Sequence, residues 1–157
     1  MTTSVSDPDD VSFRRAERAD LLAVARIERA SFPQPWPFQA FERFLEEPGF
    51  LIAQRGSAII GYVVADTVEQ YGSTVGHVKD IAVHPDDRGR GVGKRLLERA
   101  LSALSAQGVR RVRLEVRETN DRAISLYEEF GFEPRHRVAG YYDDGEDALV
   151  YVAELDA

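Results

Sequence analysis

The strongest chemical signal in the chain is the run Arg88-Gly89-Arg90-Gly91-Val92-Gly93-Lys94. Glycines let a backbone turn tightly and come close to a ligand. The run enters an apolar stripe of Val92, Leu96, Leu97, Ala100, Leu101 and Leu104 at helical spacing, so the turn opens a helix. The first N–H groups of a helix lack intrahelical partners, and the helix dipole is positive there. A glycine turn feeding a helix start is therefore a cradle for a phosphate. Residues 84–99 carry the bases Arg88, Arg90, Lys94, Arg95 and Arg99 against the acids Asp86, Asp87 and Glu98. The chain as a whole has 20 Lys+Arg against 27 Asp+Glu, a net charge of −7. An acidic protein that gathers positive charge at one turn suits a small anionic ligand and argues against nucleic acid. Two familiar cradles fail. Lys94 stands where the dinucleotide pattern needs its third glycine, and Arg88 and Arg95 replace the first glycine and the Ser/Thr of the P-loop.

The elements around this turn fit one domain. A length of 157 residues matches a single compact unit able to bury a core without staples. Zero cysteine excludes disulfides, thiolate metal sites and a cysteine nucleophile. His77, His84 and His136 are dispersed without metal-ligand spacing, so no metal is expected. No apolar run reaches the roughly 20 residues of a membrane span. The polar, acidic start reads as a flexible tail over residues 1–10, not a signal peptide, followed by one domain over 11–157. The expected setting is soluble and cytoplasmic, with no membrane or nucleic-acid partner, as a monomer or homodimer. Only Lys79 and Lys94 are lysines, which fits either a salt-rich interior or GC-rich coding.

Hydrophobic periodicity and turn residues predict strands over 11–15, 50–55, 58–68, 76–84, 109–116, 133–142 and 148–155. Helices are expected over 21–30, with Asp20 as N-cap, over 37–46, over 92–107 and over 121–130. Gly108 and Gly131 are placed to end the last two. Mixed strands and helices predict an α/β sheet with helices on both faces.

The spacing Arg88, Gly91, Gly93 matches (Q/R)-x-x-G-x-(G/A), and on it the chain resembles the GNAT family of N-acetyltransferases over about residues 11–155. A second segment carries Leu114, Glu115, Val116, Asn120, Ala123, Ile124, Leu126, Tyr127, Gly131 and Phe132. It is similar to the RimI-type ribosomal-protein alanine acetyltransferases, and the similarity continues through Tyr141-Tyr142 and Glu146-Asp147-Ala148. The resemblance implies a mixed, mostly antiparallel seven-stranded sheet with four helices, split in a V between the fourth and fifth strands. It implies acetyl-CoA in that split. Ile81, Ala82 and Val83 would meet the pantetheine, the amides from Arg88 through Gly89, Arg90, Gly91, Val92 and Gly93 to Lys94 the pyrophosphate, and Asn120 and Tyr127 the rest of the cofactor.

The same resemblance assigns Glu115 as general base and Tyr127 as general acid. From the residues alone, Glu115 reads equally as a strand carboxylate paired with Arg113 or Arg117, and Tyr127 as a core residue beside Ile124 and Phe130. The chemistry limits the base: taking a proton from an amine of pKa about 7.7–8.0 with an ordinary glutamate near 4.3 costs about 5 kcal/mol. Glu115 must be raised by burial, work through water, or orient an amine that is already neutral. His77 is a reserve base. Phe32, Trp36, Tyr141 and Tyr142 are the expected walls of an acceptor groove, with Tyr142 alternating away from Tyr141; core packing is the alternative for these aromatics. Asp143, Asp144, Glu146 and Asp147 read chiefly as a solvated turn. The implied reaction is direct acetyl transfer to the N-terminal amine of a protein or peptide, a ribosomal protein among the candidates. Alternatives are a small-molecule amine as acceptor, or a non-catalytic acyl-CoA-binding regulator.

Overall fold

The computed structural model describes residues 10–155, so the first nine residues of the expected tail lie outside it. Within these residues the chain runs β1 (Val11–Arg15), α1 (Leu21–Ser31), α2 (Phe38–Glu42), β2 (Leu51–Arg55), β3 (Ala58–Gln70), β4 (Ser73–Val83), α3 (Val92–Ala106), β5 (Arg111–Arg117), α4 (Asp121–Glu129), β6 (Glu133–Val138) and β7 (Ala148–Glu154). Among the described residues the strands form one seven-stranded sheet in the order β1-β2-β3-β4-β5-β7-β6. All neighbours are antiparallel except β4 and β5. No helix among the described residues is long and apolar enough to cross a membrane.

The helices divide between the two faces. The predicted stripe of α3 is wholly buried, against Ala53, Val63, Val78, Val112 and Leu114 of the sheet. Alternate residues of β5, Val112, Leu114 and Val116, point into that core, leaving Arg113, Glu115 and Arg117 on the opposite face. There α1 and α2 bury Leu21, Val24, Ile27 and Phe41 against Phe50, Ile52, Tyr62, Val64 and Ala82. The Phe41 ring lies 5.3–6.2 Å from those of Trp36, Tyr62 and Phe50, which ties the loop after α1 to the sheet.

Several boundaries differ from the periodicity. The second helix stops at Glu42, and the chain continues in tighter turns such as Phe44 N to Phe41 O (3.1 Å) and Glu47 N to Phe44 O (2.9 Å). Asp20 sits at the start of α1 but does not cap it. Its carboxylate instead takes both Arg14 nitrogens at 2.7 Å and the Glu17 N–H at 2.8 Å. β3 and β4 are longer than expected and meet in a two-residue turn, Tyr71-Gly72, both at positive φ (52° and 80°). That is a hairpin turn normally signalled by Asn or Gly, and the tyrosine hides it. β6 ends at Val138, so Tyr141 and Tyr142 lie in a turn and not in a pleat.

The parallel pairing of β4 and β5 covers only Val75–Val78 against Arg111–Leu114. Beyond it β4 stays with β3 as far as Val83, and β5 stays with β7 as far as Arg117, so the sheet opens between them. The register of β3 and β4 skips Lys79, which is a bulge that bends β4 at the mouth of the opening. This is the expected V.

Candidate active site

Two cavities meet where β4 and β5 part. The larger, about 740 Å³, runs along the end of β4 and the start of α3. Every residue expected to hold the cofactor lines it except Arg90. Gly91 is the N-cap of α3 with φ +80°, and no side chain caps that helix. Gly89 has φ +81°, and a Cβ at either glycine would meet nothing within 4 Å. The turn is therefore open over α3's unpaired first amides, as a phosphate requires. The Arg88 side chain braces this turn. It donates from Nε to Val83 O (3.0 Å) and from Nη2 to Ser31 Oγ (3.0 Å), joining the ends of β4 and α1.

The smaller cavity, about 340 Å³, lies on the α1/α2 side. Phe32 and Trp36 form one wall, Tyr141 and Tyr142 the other, and Glu115 lines it from β5. Both tyrosines border this cavity, their rings 5.0 Å apart and nearly perpendicular, so Tyr142 does not alternate away. Burial above all, with the neighbouring Tyr141, pushes the Tyr142 phenol up to about 12. Asn120, Ala123, Tyr127, Phe32 and Ile81 border both cavities.

Tyr127 is thus at the junction. Its ring packs edge-on against Phe132 at 5.8 Å, so the expected packing role is real. Burial, with Asp80 and Tyr142 nearby, pushes its phenol well above the ordinary value and keeps the hydroxyl protonated. Asn120 starts α4 by accepting the Ala123 N–H on Oδ1 (3.2 Å), which aims that helix and Tyr127 with it.

Glu115 is not paired with arginine by hydrogen bond. Its oxygens lie 2.9 and 3.1 Å from His77 Nε2 across the β4–β5 seam. Burial alone would raise this carboxyl. The His77 hydrogen bond and the charges of His77, Arg113 and Lys79 outweigh it and hold the group below the usual carboxylate range. Burial therefore does not raise Glu115, which leaves it to work through water or to orient an amine that is already neutral.

Residue reading did not single out Glu28, Asp80 and Arg117, which also line the acceptor cavity. Arg117 bonds Asp144 and Glu146 at 2.8 Å each, stacks on the Tyr142 ring and reaches Gln34 at 3.4 Å. It thereby links the two loops that wall the cavity. Glu146 also accepts from Thr119 N and Oγ1, and Asp147 accepts from Gly140 N and Arg137, so these acids of the turn are structural. Glu28 did leave a trace in the sequence: it is a charge inside the apolar stripe of α1.

Comparison with known proteins agrees with this geometry. Residues 21–132 match the acetyltransferase (GNAT) family model. An N-alpha-acetyltransferase of Sulfolobus acidocaldarius is 36% identical over 90% of this chain and 91% of its own. A ribosomal-protein-alanine N-acetyltransferase of Escherichia coli is 34% identical over 85% and 90%. The crystal structure of Ard1 from Thermoplasma volcanium superposes with a TM-score of 0.86 at 27% identity, covering 94% of this chain and 99% of that one.

Proposed function

The chain belongs to the GNAT family of acetyltransferases, and on that premise we propose that it moves the acetyl group of acetyl-CoA onto the N-terminal α-amine of a protein or peptide. The observation that carries this reading is the junction. A phosphate-compatible cradle and a two-walled aromatic cavity meet at one buried phenol, Tyr127. The naming of relatives at 36% and 34% identity supports it.

In this reading the amides at the start of α3 hold the pyrophosphate, and the β4 backbone beyond Val78, which has no ladder partner on its β5 side, receives the pantetheine. Glu115, ionised at neutral pH, attracts and orients the incoming ammonium. Tyr127 donates a hydrogen bond to the sulfur as charge builds there. Phe32, Trp36, Tyr141 and Tyr142 flank the first residues of the acceptor. An α-amine, of pKa about 7.7–8.0, is far easier to neutralise than a lysine near 10.4, and the lowered Glu115 makes that difference count. The setting proposed is the cytoplasm, with a ribosomal protein as one candidate acceptor.

A small polycationic amine is the second reading, favoured by the carboxyls of Glu28, Asp80, Glu115 and Asp143 around the cavity. The test is a peptide library varied at its first residues, assayed for CoA release beside polyamines, amino acids and aminoglycosides. Saturable turnover of peptides is expected. Turnover confined to the small amines overturns the peptide reading, and binding of acetyl-CoA without CoA release to any acceptor makes the chain a non-catalytic binder.

A further inference from the structure

Glu115 is held by His77 on one wall of the acceptor cavity, while another part of the same lining carries a second pair of carboxyls, Glu28 and Asp80. Glu28 is 1% exposed, on the inner face of α1. Its Oε1 lies 2.5 Å from the Tyr62 hydroxyl and its Oε2 accepts the Trp36 N–H at 3.0 Å. Asp80, on β4, lies with Oδ2 3.3 Å from the same Tyr62 hydroxyl, so two carboxyls gather around one phenol. The phenol has one proton to donate and Glu28 is its nearer acceptor, so Asp80 is left as the carboxyl of the pair with a site open to a proton from the cavity.

The fold places this pair in the cavity by one local device. Val78 points into the α3 core, and Ala82 into the α1/α2 core, although residues four apart on a regular strand share a face. The bulge at Lys79 reverses the phase between them. Asp80 follows the bulge, and so faces Glu28 and the cavity instead of the α3 core. The bulged Lys79 itself lies over the Phe44 ring at 5.7 Å.

Resting on the acetyltransfer reading above, we propose that Asp80, paired with Glu28, is the group that takes the proton of the acceptor amine. Asp80 takes one proton from the ammonium. The freed lone pair forms the C–N bond at the acetyl carbonyl, and the C–S bond breaks with its electrons on sulfur. Tyr127 gives its proton to that sulfur and receives the one the new amide nitrogen sheds. The proton on Asp80 then leaves to solvent, so each turnover of an ammonium releases one proton.

The surroundings agree with this. Burial above all, with the neighbouring Glu28 carboxyl, pushes Asp80 well above the usual carboxylate range, against the smaller opposing effects of Tyr62 and the Ile81 amide. Glu28 faces it from α1, Tyr62 from β3 and Tyr127 from α4, while Lys79, Glu115 and Arg117 border the cavity. A carboxyl raised from its ordinary value is a stronger base toward an ammonium than an ordinary carboxylate is.

The test is the pH dependence of kcat and acceptor KM for wild type, Asp80→Asn and Glu28→Gln, with acetyl-CoA affinity measured in parallel. Asp80→Asn should lower kcat by about 10²-fold, the usual scale of a general base, with acetyl-CoA affinity unchanged. Glu28→Gln removes the like charge, so Asp80 ionises more readily and the acid limb of kcat moves to lower pH. If Asp80→Asn folds poorly, the Glu28→Gln limb alone decides. Wild-type kcat in Asp80→Asn, or an unmoved acid limb in Glu28→Gln, overturns the proposal. If wild type acetylates only small amines, the peptide reading fails by itself and the same profiles are read on the best small amine. If it acetylates no amine, both fall.

Discussion

His77 and Glu115 face each other across the one parallel seam of the sheet, with Nε2 2.9 Å from Oε2. The contact keeps the Glu115 carboxylate ionised at the mouth of the V, where an ammonium would arrive. Glu115→Gln is expected to raise acceptor KM about 10- to 100-fold, the range for losing a charge-assisted hydrogen bond. It should do so at every pH, without moving the acid limb of kcat. His77→Phe removes the strongest influence holding the carboxyl down, so burial takes over and the Glu115 pKa rises. Acceptor KM in that variant should worsen toward acid pH, which steady-state kinetics between pH 5.5 and about 9 would check.

Tyr127→Phe keeps the ring against Phe132 and removes only the hydroxyl. Turnover should fall by about 10²-fold while the Kd for acetyl-CoA stays near wild type. Equal losses in kcat and in cofactor affinity, measured by stopped-time assay and calorimetry, would return Tyr127 to a packing role.

Gly91→Ala tests the cradle by conformation and not by bulk, since an added Cβ meets no atom within 4 Å. At φ +80° the alanine is strained by about 1 kcal/mol, and the turn should relax away from its open shape. Acetyl-CoA affinity is expected to drop more than Tm does. Gly91→Glu, adding a negative charge at the helix N-terminus, should abolish cofactor binding; retained tight binding would refute the assignment.

Arg14 and Asp20 make a bidentate pair that fixes the start of α1 to β1. Burial opposes ionisation of Asp20, but the Arg14 hydrogen bonds and the Glu17 amide win and hold its carboxyl below the ordinary value. A depressed carboxyl contributes stability above its unfolded pKa and loses it as pH falls through the folded value. Asp20→Ala should therefore cost about 1–3 kcal/mol near neutrality. The gap from wild type should narrow below pH about 4, in urea titrations at the two pH values.

What could be read in the chain before any coordinates was what neighbours in sequence dictate. The stripe of α3 is complete as expected, because helix periodicity and burial are set within fifteen residues. The cradle is legible for the same reason: glycines, helix start and bases are consecutive. The errors are equally local in cause. Tyr71 disguised a hairpin turn, Asp20 had an ion pair available that outcompeted a cap, and Gly140 with Asp147 ended β6 early.

The acceptor side depended on contacts that no spacing encodes. His77 meets Glu115 only because β4 and β5 run parallel over four residues before parting. Asp80 meets Glu28 only because one extra residue at Lys79 reverses the faces of β4. A strand alternates its side chains with period two, so a single bulge changes which side of the sheet every later residue serves. Sequence alone determined that this chain would build an anion cradle at the start of α3. Tertiary structure decided which carboxyl is held below its ordinary range and which is pushed above it, because that depends on burial and on partners brought from other elements.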